Sequence, residues 1–184
     1  MFFYKTPHKT ALLVTLFFVL VFVASDQVSS SLFKPFFERF RPTHHPDFMN
    51  EVDFLNGYRG GKYGFISGHA TNSFGLAVFM SFIFKYRWIT ITSLFWATLN
   101  SYTRIYLGVH FISDIIAGMI VGTLLAIILY VCFLVVYKTL LKTVHINNSA
   151  SIYAAKSGRI LSTFIMIYIL ILTIFSPLLS TLPH

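Results

Sequence analysis

The sequence predicts an all-α fold, an integral membrane bundle of about five transmembrane helices. Of its 184 residues, 56% are hydrophobic and only 11% are charged, whereas a soluble domain carries about 25% charged residues. The mean hydropathy is +0.73. Five apolar stretches alternate with polar connections, and each membrane span needs about 20 apolar residues. This composition excludes the usual soluble classes and also a disordered chain.

The five stretches are predicted over residues 11–33, 68–84, 88–102, 111–137 and 160–182. The third covers only about 22 Å as a helix, so it spans if aromatic residues such as Trp88 anchor its ends. The first could instead be a secretory signal, because Lys5 and Lys9 precede an apolar core that ends at Ser25. The polar residues that follow, up to position 31, argue for a span that faces other helices.

The connections predict the sidedness of the bundle. If the helices alternate, one side carries eight cations and no acids: Lys5, Lys9, Lys85, Arg87, Lys138, Lys142, Lys156 and Arg159. The other side carries six cations and six acids: Lys34, Arg39, Arg41, Arg59, Lys62, Arg104, Asp26, Glu38, Asp47, Glu51, Asp53 and Asp114. By the positive-inside bias the first side is cytoplasmic. The net charge of +8 is then a topology signal, and no nucleic-acid partner is expected.

Two groups of polar residues lie on the second side. Residues 34–42 read K-P-F-F-E-R-F-R-P. If this stretch is helical, Lys34 and Arg41 are about two turns apart and point the same way, although interfacial anchoring also explains them. Ser67 and Gly68 open the second span, where unpaired N–H groups favour an anion. Ser67 is then an N-cap or a phosphate donor, and His69 is a general acid or a structural histidine.

A third group follows the third span. His110 and Asp114 are spaced i, i+4 and would face the same side of a helix. The carboxylate would then fix the tautomer of the imidazole, as a nucleophilic or basic histidine requires. A purely structural His–Asp pair is the alternative. Arg104 adds a third cation at matching depth, and such a set suits a phosphate held by guanidinium forks.

In this order, K-x6-R-P (34–42), S-G-H (67–69) and R-x5-H-x3-D (104–114) resemble the three signature motifs of the type 2 phosphatidic acid phosphatase superfamily of membrane lipid phosphatases. The resemblance covers about residues 24–125 and is nearest to bacterial undecaprenyl-diphosphate phosphatases and lipid A phosphatases. It implies that His110 attacks phosphorus to form a phosphohistidine, Asp114 orients His110, and His69 protonates the leaving oxygen. It further implies phosphate binding by Lys34, Arg41, Ser67, Gly68 and Arg104, with no metal or cofactor.

Several features depart from this pattern or lie outside it. Ile66 stands where the family usually has proline, and Thr103 where it commonly has serine. Members tend to carry further helices before the first motif, so we expect a start that is short relative to relatives, with an extra span at 160–182. His44 and His45 could reach a phosphate or a metal, or simply be solvated. The loop 56–64 is a lid over the headgroup or a flexible turn.

We therefore expect residues 1–184 to form one phosphatase domain in the bacterial inner membrane, with its active site on the periplasmic side. The expected substrate is undecaprenyl diphosphate or a related envelope lipid, with lipid A or phosphatidylglycerol phosphate as the alternative. In each case the tail of the lipid would lie among the helices. A transporter or channel is the rival class, but only Asp26 places a charge inside a span. A catalytically dead scaffold would not need the intact motifs. Membrane lipids are expected partners, and the oligomeric state is left open.

Overall fold

The computed structural model describes residues 6–47, 49–51, 58–141 and 151–179, and its elements there are helical. The helices are α1 (His8–Gln27), α2 (Lys34–Phe37), α3 (Gly68–Phe84), α4 (Arg87–Tyr106), α5 (Ile112–Leu141) and α6 (Ala155–Leu179). A π-helix, Val28–Phe33, joins α1 to α2 without interruption. A 3-10 turn, Pro42–His44, follows. Within the described ranges the only β pairing is an isolated bridge between Phe40 and Tyr63. The predicted all-α class is confirmed.

Among the described residues, three helices are long and apolar enough to cross a membrane: His8–Phe37, Ile112–Leu140 and Ala155–Phe175. Large apolar side chains on α5 and α6, such as Leu124 and Phe164, face outward, which suits contact with lipid. The protein is an integral membrane protein. The helix α3 has the predicted bounds, but it has only 17 residues, and α4 runs four residues past its predicted end. A total of five spans stays a prediction.

The helix α3 lies at the centre of the bundle. It packs against α1, α4 and α5, whereas α6 packs on α4. Glycines permit the approach of α3 to α5: a Cβ on Gly118 would lie 2.8 Å from the carbonyl oxygen of Ser67, and one on Gly122 would overlap that of Thr71. Such small residues are typical of close helix packing in membranes.

An apolar core fills the end of the bundle where α1 begins and α3 ends. Phe133 of α5 meets Phe17 and Phe79 edge to face, with ring centroids 5.4 Å and 6.2 Å away. At the same end, Ser151 donates a hydrogen bond to the carbonyl oxygen of Phe84, so the start of α6 is held beside the end of α3. The helices therefore alternate in direction. The end of the first helix and of α4, and the starts of α3 and α5, share the opposite end.

Candidate active site

The start of α3 is built closely against the first helix. Ser67 is fully buried, and its hydroxyl accepts a hydrogen bond from the Ala70 N–H at 3.5 Å, as an N-cap does. A Cβ on Gly68 would lie 3.1 Å from Ser29 Oγ and 3.9 Å from Lys34 Nζ. The absence of a side chain at Gly68 thus brings the Lys34 amine near free N–H groups at the start of a helix, a combination that favours an anion.

Arg41 reaches the same place by a chain reversal. The helix ends at Phe37, and Glu38 adopts a left-handed conformation with φ 44°, so the premise of one helix from Lys34 to Arg41 is wrong. The antiparallel bridge between Phe40 and Tyr63 then places Arg41 beside Lys62, whose carbonyl oxygen accepts the Arg41 N–H. The Arg41 side chain donates from Nε to the carbonyl oxygen of Tyr63 and from Nη1 to that of Val109, both at 3.2 Å. A Cβ on Gly64 would lie 3.0 Å from Arg41 Cγ, so this glycine makes room for the guanidinium.

His110 and Asp114 form the predicted pair. His110 Nδ1 lies 3.3 Å from Asp114 Oδ2, and both side chains are almost completely buried. The same oxygen accepts the Phe111 N–H at 3.0 Å. His110 precedes α5, which begins at Ile112, so the pair spans the helix start and does not lie on one helical face as the spacing suggested.

The contact between Arg41 and His110 sets the tautomer of the imidazole. Arg41 Nη1 lies 3.0 Å from His110 Nε2. A guanidinium can only donate hydrogen bonds, so Nε2 accepts and the ring proton sits on Nδ1, where it is donated to Asp114. The nitrogen that faces the cations therefore carries the free electron pair that a nucleophile needs.

Burial and neighbouring charges shift the pKa values of His110 and Arg41. Burial lowers the pKa of His110 from its ordinary value of 6.5, the hydrogen bond to Asp114 opposes this, and the positive charge of Arg41 lowers it further. His110 is therefore neutral at neutral pH. Burial also lowers the pKa of Arg41, and the charge of Arg104 contributes in the same direction, so these two cations lie close enough to repel one another.

Arg39 is a residue of the site that the sequence reasoning counted only as a charge. Its Nη1 lies 3.0 Å from Asp114 Oδ1 and 2.8 Å from Ser113 Oγ. Its guanidinium carbon lies 4.4 Å above the Phe111 ring. Asp114 therefore holds His110 with one oxygen and is itself held by Arg39 at the other. The sequence did contain a signal for this role, because Arg39 is a further cation between Lys34 and Arg41 in the K-x6-R-P segment.

A cavity of about 380 Å³ opens in front of these groups, and Lys34, Arg41, Gly68, His69 and His110 line it. His69 is exposed. The cavity is also lined by Asp26, Asn72 and Asn100, which sequence reasoning did not assign to the site.

Arg104 is half-buried, and its Nε donates to Thr103 Oγ1 at 3.2 Å. Ser67, which caps α3, and Asp114, which holds His110, are fully buried and do not line the cavity.

The remaining candidates have other surroundings. His44 Nδ1 lies 3.1 Å from Thr43 Oγ1, and His45 Nδ1 lies 3.7 Å from the carboxylate of Asp47. In the part of the chain that the structure describes, no group of three or more His, Cys, Asp or Glu could hold a metal. Of the loop 56–64, residues 56 and 57 lie outside the described residues. Gly60 and Gly64 in its second half pack against the Arg41 side chain.

These features, a helical membrane bundle with a cation-lined His–Asp pair, agree with a family assignment. The sequence matches the PAP2 superfamily over residues 12–138, and the chain belongs to this superfamily. A solved structure supports it: a transmembrane PAP2-type phosphatidylglycerolphosphate phosphatase from Bacillus subtilis is 26% identical and superposes with a TM-score of 0.54. The alignment covers 71% of this chain and 62% of that one.

Two curated relatives are nearer in sequence. A lipid A 4'-phosphatase from Porphyromonas gingivalis is 56% identical over 117 residues, which is 64% of this chain and 50% of that protein. A lipid A 4'-phosphatase from Bacteroides thetaiotaomicron is 41% identical over 111 residues, 60% of this chain and 49% of that protein. The chain spans about half the length of these relatives.

Proposed function

We propose that this protein is a lipid phosphatase that hydrolyses the phosphate ester of a lipid A-type amphiphile through a phosphohistidine on His110. The observation that carries the proposal is the orientation of the imidazole. Nδ1 faces the carboxylate of Asp114 at 3.3 Å, whereas Nε2 faces Arg41 and the cation-lined cavity. A neutral imidazole held in this way is prepared to attack phosphorus.

In the first step, Nε2 of His110 forms a bond to phosphorus while the bond from phosphorus to the ester oxygen breaks. Before the substrate binds, Arg41 Nη1 donates a hydrogen bond to Nε2 at 3.0 Å. The incoming phosphate must therefore accept this N–H in place of Nε2, which frees the electron pair of Nε2 for attack. The positive charge that develops on the imidazole is balanced by Asp114. His69 gives its proton to the leaving oxygen, and the alcohol departs.

In the second step, water attacks the phosphohistidine and His69 takes a proton from it. Phosphate leaves, and His110 returns to its neutral state. Lys34, Arg41, Arg104 and the Gly68 N–H stabilise the equatorial oxygens throughout, and Ser67 keeps the start of α3 in place. Phosphoryl transfer depends mostly on such positioning and electrostatic stabilisation.

The choice of substrate follows from the relatives. Sequence reasoning put undecaprenyl diphosphate first, and both curated relatives favour the alternative, because they are lipid A 4'-phosphatases. The Bacillus protein, a phosphatidylglycerolphosphate phosphatase, is more distant. We therefore rank a lipid A phosphate above phosphatidylglycerol phosphate, and both above undecaprenyl diphosphate.

A panel assay tests this ranking. Purified protein in detergent would be supplied with lipid A, phosphatidylglycerol phosphate, undecaprenyl diphosphate or phosphatidate, with and without a chelator, and phosphate release measured. We expect lipid A to be hydrolysed fastest and the chelator to have no effect. Loss of turnover with the chelator would contradict a metal-independent mechanism. After an alkaline quench, mass spectrometry should find the phosphoryl group on His110.

We further propose that the site faces the periplasm across the bacterial inner membrane. The support is the charge asymmetry. Among the described residues, the side away from the site carries no acids and six cations: Lys9, Lys85, Arg87, Lys138, Lys156 and Arg159. In a Cys132→Ser background, Lys62→Cys should react with an impermeant thiol reagent in spheroplasts. Lys138→Cys at the opposite end should react only after lysis. The reverse pattern would invert the orientation.

A further inference from the structure

Two cavities follow one another between α3 and α4. The first is the cation-lined cavity of the candidate site. The second, also about 380 Å³, is almost entirely apolar and is lined by side chains of α1, α3, α4 and α6, among them Phe18, Met80 and Tyr168. Leu76 and Trp96 line both cavities. The second cavity therefore adjoins the first on the side away from the phosphate-binding cations.

Asn72 and Asn100, which we call the amide pair, lie between the cations and this apolar space. On α3, His69, Asn72 and Leu76 are three and four residues apart, so they share one face. On α4, which runs the other way, Arg104, Asn100 and Trp96 are each four apart. Both amides line the first cavity. They therefore lie about one helical turn, about 5 Å, beyond the residues that meet the phosphate.

The side-chain oxygen of Asn72 lacks a hydrogen-bond donor among the described residues. This Oδ1 atom is buried. A buried polar atom without a partner is unfavourable. Because the residue Asn72 lines the cavity, a ligand bound there can supply the missing group. An oxygen acceptor selects a hydrogen-bond donor, so the ligand group is an N–H or an O–H.

We propose that the amide pair recognises an N-acyl amide or hydroxyl on the carbon next to the phosphate-bearing carbon of the substrate. The acyl chain attached there would continue past Leu76 and Trp96 into the apolar cavity. The distance agrees, because phosphorus and an amide nitrogen on the neighbouring carbon are separated by roughly four bonds, or about 5 Å. This inference rests on the proposed phosphatase function and adds to it the class of lipid, an N-acylated or hydroxylated headgroup.

The test compares two lipids that differ at this group. Ceramide 1-phosphate carries an amide N–H on the carbon next to its phosphate-bearing carbon, with a hydroxyl one carbon further on, whereas phosphatidate with the same chain lengths carries only esters at these positions. For the unmodified protein we expect kcat/KM to be about tenfold higher for ceramide 1-phosphate, since a site built for a donor rejects an analogue that lacks it. In Asn72→Leu the ratio should fall to within about twofold of unity.

Two further variants separate recognition from folding. Asn100→Leu should also reduce the ratio, which provides a second measurement if Asn72→Leu does not fold. Thr98→Leu, on the exposed face of α4, should keep the ratio of the unmodified protein. Thermal unfolding of Asn72→Leu should not begin at a lower temperature, because the removed oxygen has no protein partner.

Each outcome decides the proposal. Equal kcat/KM for the two lipids in the unmodified protein, or an unchanged ratio in both leucine variants, overturns recognition by the amide pair and leaves the phosphatase function intact. Phosphate release from neither lipid, nor from a water-soluble aryl phosphate, overturns the phosphatase function itself and this inference with it.

Discussion

The two ends of the bundle are built on opposite principles. At the end where α3 finishes, Phe17, Phe79 and Phe133 fill the space between helices edge to face. At the end where α3 begins, a cavity lies between α1, α3 and α4. All three buried polar atoms without partners in the described ranges, on Ser25, Asn72 and Ser101, lie toward the cavity end. Of these three residues, Asn72 lines the cavity, where a ligand can supply the missing partner.

Each end also stacks an arginine on an aromatic ring. Arg39 lies 4.4 Å from the Phe111 ring at the open end, and Arg87 lies 5.0 Å from the Trp88 ring at the packed end. Only Arg39 additionally pairs with the fully buried Asp114. If the contrast between the ends is right, similar substitutions should affect turnover at one end and only stability at the other.

The largest effect is expected from His110→Ala. Removing the proposed nucleophile should lower turnover by at least about 10⁴-fold, with the thermal unfolding temperature in detergent measured alongside. His110→Gln, which retains a polar side chain, should be equally inactive. A folded variant of either kind that keeps more than about a hundredth of normal turnover would remove His110 from the nucleophile's role.

Asp114→Asn should lower turnover by about 10²- to 10³-fold, because the imidazole loses its oriented acceptor. The pH dependence gives a sharper test. His110 must be neutral to react, so the acid limb of kcat/KM lies below 6.5, and the Asp114 hydrogen bond is what raises the pKa of His110 against burial. The acid limb should therefore move to lower pH in Asp114→Asn. A shift to higher pH would contradict this assignment.

Arg39→Ala should lower kcat about tenfold and change KM less, because Arg39 acts through Asp114 as a positioning residue. Arg39→Lys should recover part of the loss, since an amine can still pair with Oδ1. Arg87→Ala is the matched control and should leave turnover normal. Equal loss in both alanine variants would mean that stacking on the aromatic ring, and not the contact with Asp114, is what matters.

Phe79→Ala should have the smallest effect on turnover, within about twofold per folded molecule, while lowering the free energy of unfolding by about 2–4 kcal/mol through the cavity that it leaves. Phe95→Ala, on an outward face, should change neither quantity. Assays well below the unfolding temperature would check this. A large loss of kcat in folded Phe79→Ala would show that the two ends are coupled.

Hydropathy and spacing sufficed for much of this structure. The bounds of α3 follow from hydropathy. The spacing of His110 and Asp114 correctly predicted their contact, although the pair spans the start of α5 and does not share a helical face. The helix bounds were less accurate where polar and apolar residues mix, as at Arg104, which lies in the last turn of α4 and not in a connecting turn.

The rest depends on tertiary contacts. Arg39 meets Asp114 because the chain reverses at Glu38 and pairs Phe40 with Tyr63, and no sequence period signals that reversal. The amide pair consists of residues on two antiparallel helices, so only the register of α3 against α4 brings Asn72 and Asn100 to one cavity. Sequence reasoning named the candidate reacting groups but not Arg39, Asn72 or Asn100, which hold or surround them.

The π-helix Val28–Phe33 acts as a phase shift in the first helix. Asp26 and Lys34 are eight residues apart, which on a regular α-helix would place them about 80° apart around the axis. One π turn delays the rotation by about 100°, the equivalent of one extra residue, and reduces that difference to about 20°. Both side chains can then line one cavity. Deleting one residue of this segment should therefore restore a regular α-helix and still leave the lysine facing the same cavity, because seven α-helical residues also bring the two side chains to within about 20°.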